Sequence, residues 1–237
     1  MLINAEQLKR EAAPFGIELD AVAIERFDSY AKLLVEWNKK INLTAITEPE
    51  AIVTRHFADS LSFFSAAKPQ DKASLIDVGS GAGFPGMPIK IVRPDMQVTL
   101  LDGTNKRITF LSEVARELGL QVNAIHSRAE EAAVKAELRE KFDLATARAV
   151  AELRLLGEYC LGFVKVGGAL VAMKGKLTEQ EVADAQHCLS VMGGKVDGTH
   201  TLLLADSSER TLLTVKKSSQ TPTEYPRCSA KIAKKPL

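Results

Sequence analysis

The stretch from Leu75 to Gly86, LIDVGSGAGFPG, restricts this 237-residue chain more than any other. Leu75, Ile76 and Val78 are apolar, and two of them are β-branched, as in a strand buried on both faces. Gly79, Gly81 and Gly83 then alternate with small residues. Glycine accepts positive φ and lets a ligand come close to the main chain. Pro85 and Pro88 do not suit a helix interior but do suit its first turn. A strand, a glycine loop and a helix start in that order would aim free backbone N–H groups at a ligand.

Two ligand classes fit such a loop. Gly81, Gly83 and Gly86 match the dinucleotide pattern GxGxxG. Asp77, Gly79, Gly81 and Gly83 match the acid-x-Gly-x-Gly-x-Gly pattern of S-adenosylmethionine (AdoMet) loops. A buried Asp77 must be hydrogen-bonded, and loop N–H groups can supply those bonds. Added negative charge disfavours a pyrophosphate and is tolerated by a sulfonium. That contrast favours AdoMet over NAD.

The chain around this loop reads as strand-helix alternation. Residues 1–67 form a helical extension, with Asn4 and Asp20 as N-caps and a third helix running from Pro49 through Phe64. Trp37 is expected as a core anchor, and His56 as a capping or salt-bridged surface residue. Residues 68–217 carry the alternation. Strands are expected at 75–78, 98–101, 122–125, 142–146 and 169–173, with helices between them. A helix over 153–164 should break at Gly167-Gly168. A final hairpin crosses Asp206-Ser207-Ser208. This order gives a doubly wound, mostly parallel seven-stranded sheet. Residues 218–237 form a basic C-terminal tail.

Composition adds four limits. The 46% hydrophobic and 26% charged content is that of a globular chain. Cys160, Cys188 and Cys228 form no CxxC pair, which argues against a disulfide framework or zinc site and for a reducing, cytoplasmic setting. No run is apolar enough to cross a bilayer. From Lys216 onward six basic residues face one acid, leaving 25 basic and 29 acidic residues before it. A basic tail on a mildly acidic body suggests a polyanionic partner.

In a doubly wound sheet, ligands bind beyond the carboxyl ends of the strands. Asp102 ends the second strand about 20 residues past the glycines, where an acid can bond ribose hydroxyls. Its alternative role is to cap the helix that follows. Ala129 and Glu130 lie beyond the third strand, at the expected adenine edge. Arg148 follows the fourth strand, where it can hold a phosphate or a base, and Lys174 follows the fifth. Lys106 and Arg107 add charge to the same rim, and Arg227, Lys231, Lys234 and Lys235 could join them from the tail.

Several stretches together resemble the RsmG (GidB) family of bacterial 16S rRNA guanine-N7 methyltransferases. They are Trp37 to Thr44 (WNKKINLT), His56 to Ser60 (HFADS), Asp77 to Gly86, Asn105-Lys106-Arg107, Ser127 to Glu130, Ala147-Arg148-Ala149, Lys174-Gly175 and Tyr225-Pro226-Arg227. The resemblance covers nearly the whole chain. It implies a Rossmann-like class I methyltransferase fold, with AdoMet held at Gly79, Phe84, Asp102, Gly103, Thr104, Ala129, Glu130 and Arg148. S-adenosylhomocysteine (AdoHcy) would be the product, and guanine 527 in the 530 loop of 16S rRNA the target, as free rRNA or within the 30S subunit. A monomer is expected, with no metal and no membrane partner. Guanine N7 carries a lone pair and no proton, so transfer needs alignment but no general base.

Overall fold

The computed structural model describes residues Met1–Leu237. Its centre is β1 (Ser74–Val78), the strand before the glycine loop. β1 pairs in parallel with β2 (Gln97–Asp102) on one side and with β4 (Phe142–Arg148) on the other. β3 (Asn123–His126) extends the sheet beyond β2, and β5 (Val164–Lys174) extends it beyond β4, again in parallel. The hairpin of β6 (Gly194–Leu203) and β7 (Glu209–Lys217) completes it, with β7 antiparallel to β5. The order is β3-β2-β1-β4-β5-β7-β6. Strand order reverses between β1 and β4, so a crevice opens at their carboxyl ends.

Two apolar clusters cover the two faces of the sheet. One combines Leu75, Val98 and Leu100 with helices α6 (Gly86–Val92) and α7 (Asn105–Glu117). The same cluster takes Leu8 from α1 (Ala5–Ala12) and Phe27, Tyr30 and Leu34 from α2 (Ala21–Asn38). Residues 1–67 therefore share a core with the sheet. Asn4 and Asp20 cap α1 and α2 as expected. Trp37 is partly buried, its ring 5.7 Å from that of Phe110. The opposite face is covered by α9 (Leu153–Cys160) and α10 (Glu179–Val191), packed on Ile76, Val78 and Ala145.

Two local expectations are corrected. The helix expected from Pro49 to Phe64 is divided into α3 (Pro49–Ile52), a π turn (Val53–Ala58), α4 (Asp59–Leu61) and α5 (Phe63–Ala66). Ser60 and Ser62 donate side-chain hydrogen bonds to the carbonyls of His56 and Asp59, competing with the regular ladder. Gly167-Gly168 does not break a helix; α9 ends at Cys160, and both glycines lie inside β5. A Cβ on Gly168 would strike the Asp143 carbonyl, beside a register shift between β4 and β5, so glycine here marks a close approach within the sheet. After β3 the chain makes a single helical turn, α8 (Ala129–Ala132).

Candidate active site

Gly79 and Ser80 donate their N–H groups to the Leu101 carbonyl at 2.8 and 3.0 Å, tying the glycine loop to the end of β2. Gly81 donates to Asp102 Oδ2 at 2.9 Å, and Gly86 donates to Asp77 Oδ2 at 2.9 Å. Asp77 thus holds the loop's shape, as its position suggested. Its other oxygen, Oδ1, is buried without a partner. Burial drives the Asp77 carboxyl up to about 7, against the opposing effects of the Gly86 N–H and the Arg148 charge.

Gly83 has a structural reason to be glycine. Its φ is +100°, and an added Cβ would lie 2.5 Å from the Tyr30 hydroxyl. That hydroxyl donates to the Ala82 carbonyl, and the Tyr30 ring stacks on Phe84 at 5.4 Å. Helix α2 therefore clamps the loop from behind. The expectation of free N–H groups at the helix start is not met. Met87 N–H donates to Gly83 O and Ile89 N–H to Pro85 O, Pro88 has none, and Gly86 is engaged by Asp77.

A cleft of about 320 Å³ runs along the ends of β1, β2 and β3. It brings together Gly79, Asp102, Gly103, Thr104, Ala129 and Glu130, six of the sequence-predicted residues. Asp102 accepts from Gly81 N–H and Thr104 N–H, the latter at 2.8 Å. A carboxylate has about four acceptor positions, so it can stabilise the loop and still accept from a ligand. Glu130 Oε1 is buried without a hydrogen-bond partner. Its nearest cation, Arg128 Nη1, stays 3.8 Å away. Val150 and Tyr159, which periodicity could not assign, complete the wall.

Arg148 lies on the other side of the glycine loop, at the end of β4. Nη1 donates to Asp59 Oδ2 at 2.9 Å and to Arg55 O at 3.1 Å, and Nη2 approaches His56 Nδ1 at 3.3 Å. Arginine can only donate, so His56 Nδ1 accepts and Nε2–H donates to Thr44 Oγ1 at 2.8 Å. The imidazole stacks on Phe84 at 4.3 Å, and the Arg148 guanidinium lies 5.0 Å from the same ring. Burial, with the Arg148 charge, pushes His56 down to about 3. His56 is therefore a buried neutral residue, not the surface residue expected. Asp59 also accepts from Arg210 Nε of β7 at 2.9 Å. Nothing in local periodicity pairs residues so far apart in sequence.

Two of the residues expected to contact RNA already have partners within the chain. Lys174 Nζ is engaged by Glu181 at 2.8 Å and Ala151 O at 2.9 Å. Arg227 is engaged by the fully buried Glu158, with Nη2 2.7 Å from Oε2 and Nε 2.9 Å from Oε1. Both side chains are partly exposed, at 16% and 18%, and held by these partners. Lys106, Lys231, Lys234 and Lys235 are exposed, and Arg107 is partly so, 3.5 Å from Asp102.

The strand order, the acid-anchored glycine loop and the cleft beyond β1–β3 define a Rossmann-like class I methyltransferase. TYW2 from M. jannaschii, solved in complex with AdoMet, matches with a TM-score of 0.51 over 62% of this chain and 70% of its own; at 13% identity the likeness is one of fold. The chain belongs to the GidB family, rRNA small subunit methyltransferase G, whose family model matches residues 23–211. The ribosomal RNA small subunit methyltransferase G of Acetivibrio thermocellus is 49% identical over 228 residues, covering 95% of this chain and 93% of its own. That of Lactobacillus johnsonii is 46% identical over 241 residues, covering 99% and 100%. No helix is long and apolar enough to cross a membrane.

Proposed function

We propose that this chain transfers the methyl group of AdoMet to N7 of a guanine in the 530 loop of 16S rRNA, free or within the 30S subunit, and releases AdoHcy. It would act as a monomer in the cytoplasm. The observation that carries the cofactor reading is the state of the helix start after the glycine loop. Its N–H groups already have acceptors, and the carboxylate of Asp77 stands among them. A pyrophosphate would find neither free donors nor a favourable field there, which argues against NAD. A cationic ligand bearing hydroxyl and amine donors suits Asp77, Asp102 and Glu130, two of which have a buried oxygen without a partner.

In this reading Asp102 would accept from the ribose hydroxyls and Glu130 from the adenine amine. Gly79, Gly81, Gly83 and Phe84 shape the floor, and Gly103, Thr104 and Ala129 form the rim. The bound cofactor supplies an electrophilic methyl group. The protein must then align acceptor, methyl and sulfur and hold the base still. Three of the five Arg148 N–H donors are engaged, which leaves two to meet the Hoogsteen edge of guanine at O6. Neutral His56 would hold Arg148 in place and remove no proton. Lys106, Arg107, Lys231, Lys234 and Lys235 are the cations available to rRNA phosphates.

The test is to map methylated nucleotides in 16S rRNA from cells with and without the gene. The expected result is loss of one 7-methylguanosine in the 530 loop, restored by the wild-type chain. An unchanged methylation pattern would overturn the proposal.

A further inference from the structure

The Tyr225-Pro226-Arg227 motif has so far only a tethering role, yet its surroundings lead back to the cofactor cleft. Arg227 makes its backbone and side-chain bonds to Glu158 on α9. The next residue, Tyr159, lines the cleft together with Glu130. Burial raises the Tyr159 phenol, with Glu130 and Arg128 in electrostatic reach. Upstream, Arg139 donates to the carbonyls of Thr221, Pro222 and Tyr225 at 2.7 to 3.0 Å. Downstream, α11 (Ser229–Lys234) is seated by Ile232, which is fully buried. The segment expected as a basic C-terminal tail is a strap held at several points along its length.

A second cleft, of about 690 Å³, lies between this strap and α8 and shares Arg128 and Glu130 with the first. These two residues form the ridge between the clefts. Arg128 Nη1 donates to Ser229 Oγ at 3.4 Å and stands 3.8 Å from Glu130 Oε1. One guanidinium therefore links the strap to the buried carboxylate oxygen that has no partner. The strap and the carboxylate meet at Arg128.

Resting on the AdoMet reading above, we propose that residues 221–235 form the outer support of the adenosine end of the cofactor cleft. Ser229 and Arg128 are positioning residues for Glu130, and the Arg227–Glu158 pair anchors them. The strap then acts on the cofactor in addition to any contact with rRNA. Its effect should be confined to the adenosine half, because Arg128, Glu130 and Tyr159 lie at the β2–β3 end of the cleft and Asp77 does not line it.

The test uses a chain truncated after Cys228, which keeps the Arg227–Glu158 pair, and the full-length Arg128→Met variant. Calorimetry would measure binding of AdoHcy and of 5′-methylthioadenosine, which lacks the amino-acid half. The expected result for both proteins is a Kd raised about tenfold, the scale of one lost polar contact, by the same factor for both ligands. KM for AdoMet should rise in parallel while KM for rRNA stays constant in Arg128→Met. Unchanged affinity in a folded truncated chain, or a loss seen with AdoHcy but absent with 5′-methylthioadenosine, overturns the proposal. Arg128→Met decides if the truncated chain does not fold. Failure of the full-length chain to bind AdoHcy at all would remove the cofactor reading itself, a result distinct from either.

Discussion

Asp59 joins three parts of the chain, and replacing it by asparagine isolates the effect of its charge. The carboxylate is 3% exposed and accepts from Arg148 and Arg210 at 2.9 Å each. At an effective dielectric constant near 20, each pair at about 4 Å between charges attracts by ~4 kcal/mol. Desolvation offsets much of that attraction in the folded protein. Once the carboxylate is gone, the desolvation of two guanidinium groups remains with less to oppose it, and breaking a buried pair costs about 3–5 kcal/mol. For a chain of this size each kcal/mol lowers the melting temperature by roughly 2–4 °C, so Asp59→Asn should melt roughly 6–20 °C lower. Thermal unfolding followed by circular dichroism would measure it. Arg148→Met in the same background should add much less than it does alone, since the two changes remove one interaction. A melting point within about 2 °C of the parent chain would refute the view that this network holds the N-terminal helices to the strand ends.

Asp102→Asn should weaken AdoHcy binding by about 1.5–3 kcal/mol, the value of a hydrogen bond to a charged group; an unchanged Kd in a folded variant would restrict Asp102 to supporting the loop. Single-turnover methyl transfer with both ligands saturating should vary little between mildly acidic and mildly alkaline pH, since N7 has no proton to lose; a steep rising limb abolished by His56→Gln would reveal a base instead. Stability has its own signature. His56, pushed down to about 3 from 6.5, contributes stability above about pH 6.5 that is lost as pH falls. Asp77, raised to about 7 from 3.8, contributes stability below about pH 4 that is lost as pH rises through 7. Between these limits the folded and unfolded chains bind equal numbers of protons at the two sites, so the slopes cancel. His56→Gln should expose the Asp77 slope, a loss approaching ~1.4 kcal/mol per pH unit between about pH 4 and 7 in urea titrations; a flat profile in the variant would count against an elevated Asp77.

The strands and the cleft were legible because their signals are local. Alternation of apolar runs with turn residues placed all seven strands, and the acids at strand ends placed Asp77 and Asp102. Glu130 was legible from its position after β3. The fate of the cations was not, because it depends on partners in other elements: Arg148 on Asp59, Lys174 on Glu181, Arg227 on Glu158. His56 was misjudged for the same reason, since its burial comes from Phe84 and Arg148, 28 and 92 residues along the chain. The basic tail shows how charge counting fails where individual charges are internal. Lys217, counted as part of it, is fully buried, with Nζ donating to Leu161 O at 2.8 Å.

The position of β7 between β5 and β6 bears on how the protein is made. A ribosome delivers the chain from its N-terminus, so β6 emerges before the strand that must separate it from β5. Asp59 meanwhile waits for Arg210, 151 residues later. Until β7 is released, the nascent chain holds Asp59 with only one of its two arginine partners, Arg148, and β6 as an unjoined strand. Completion of the sheet and arrival of the second arginine at Asp59 then coincide, in a single late step.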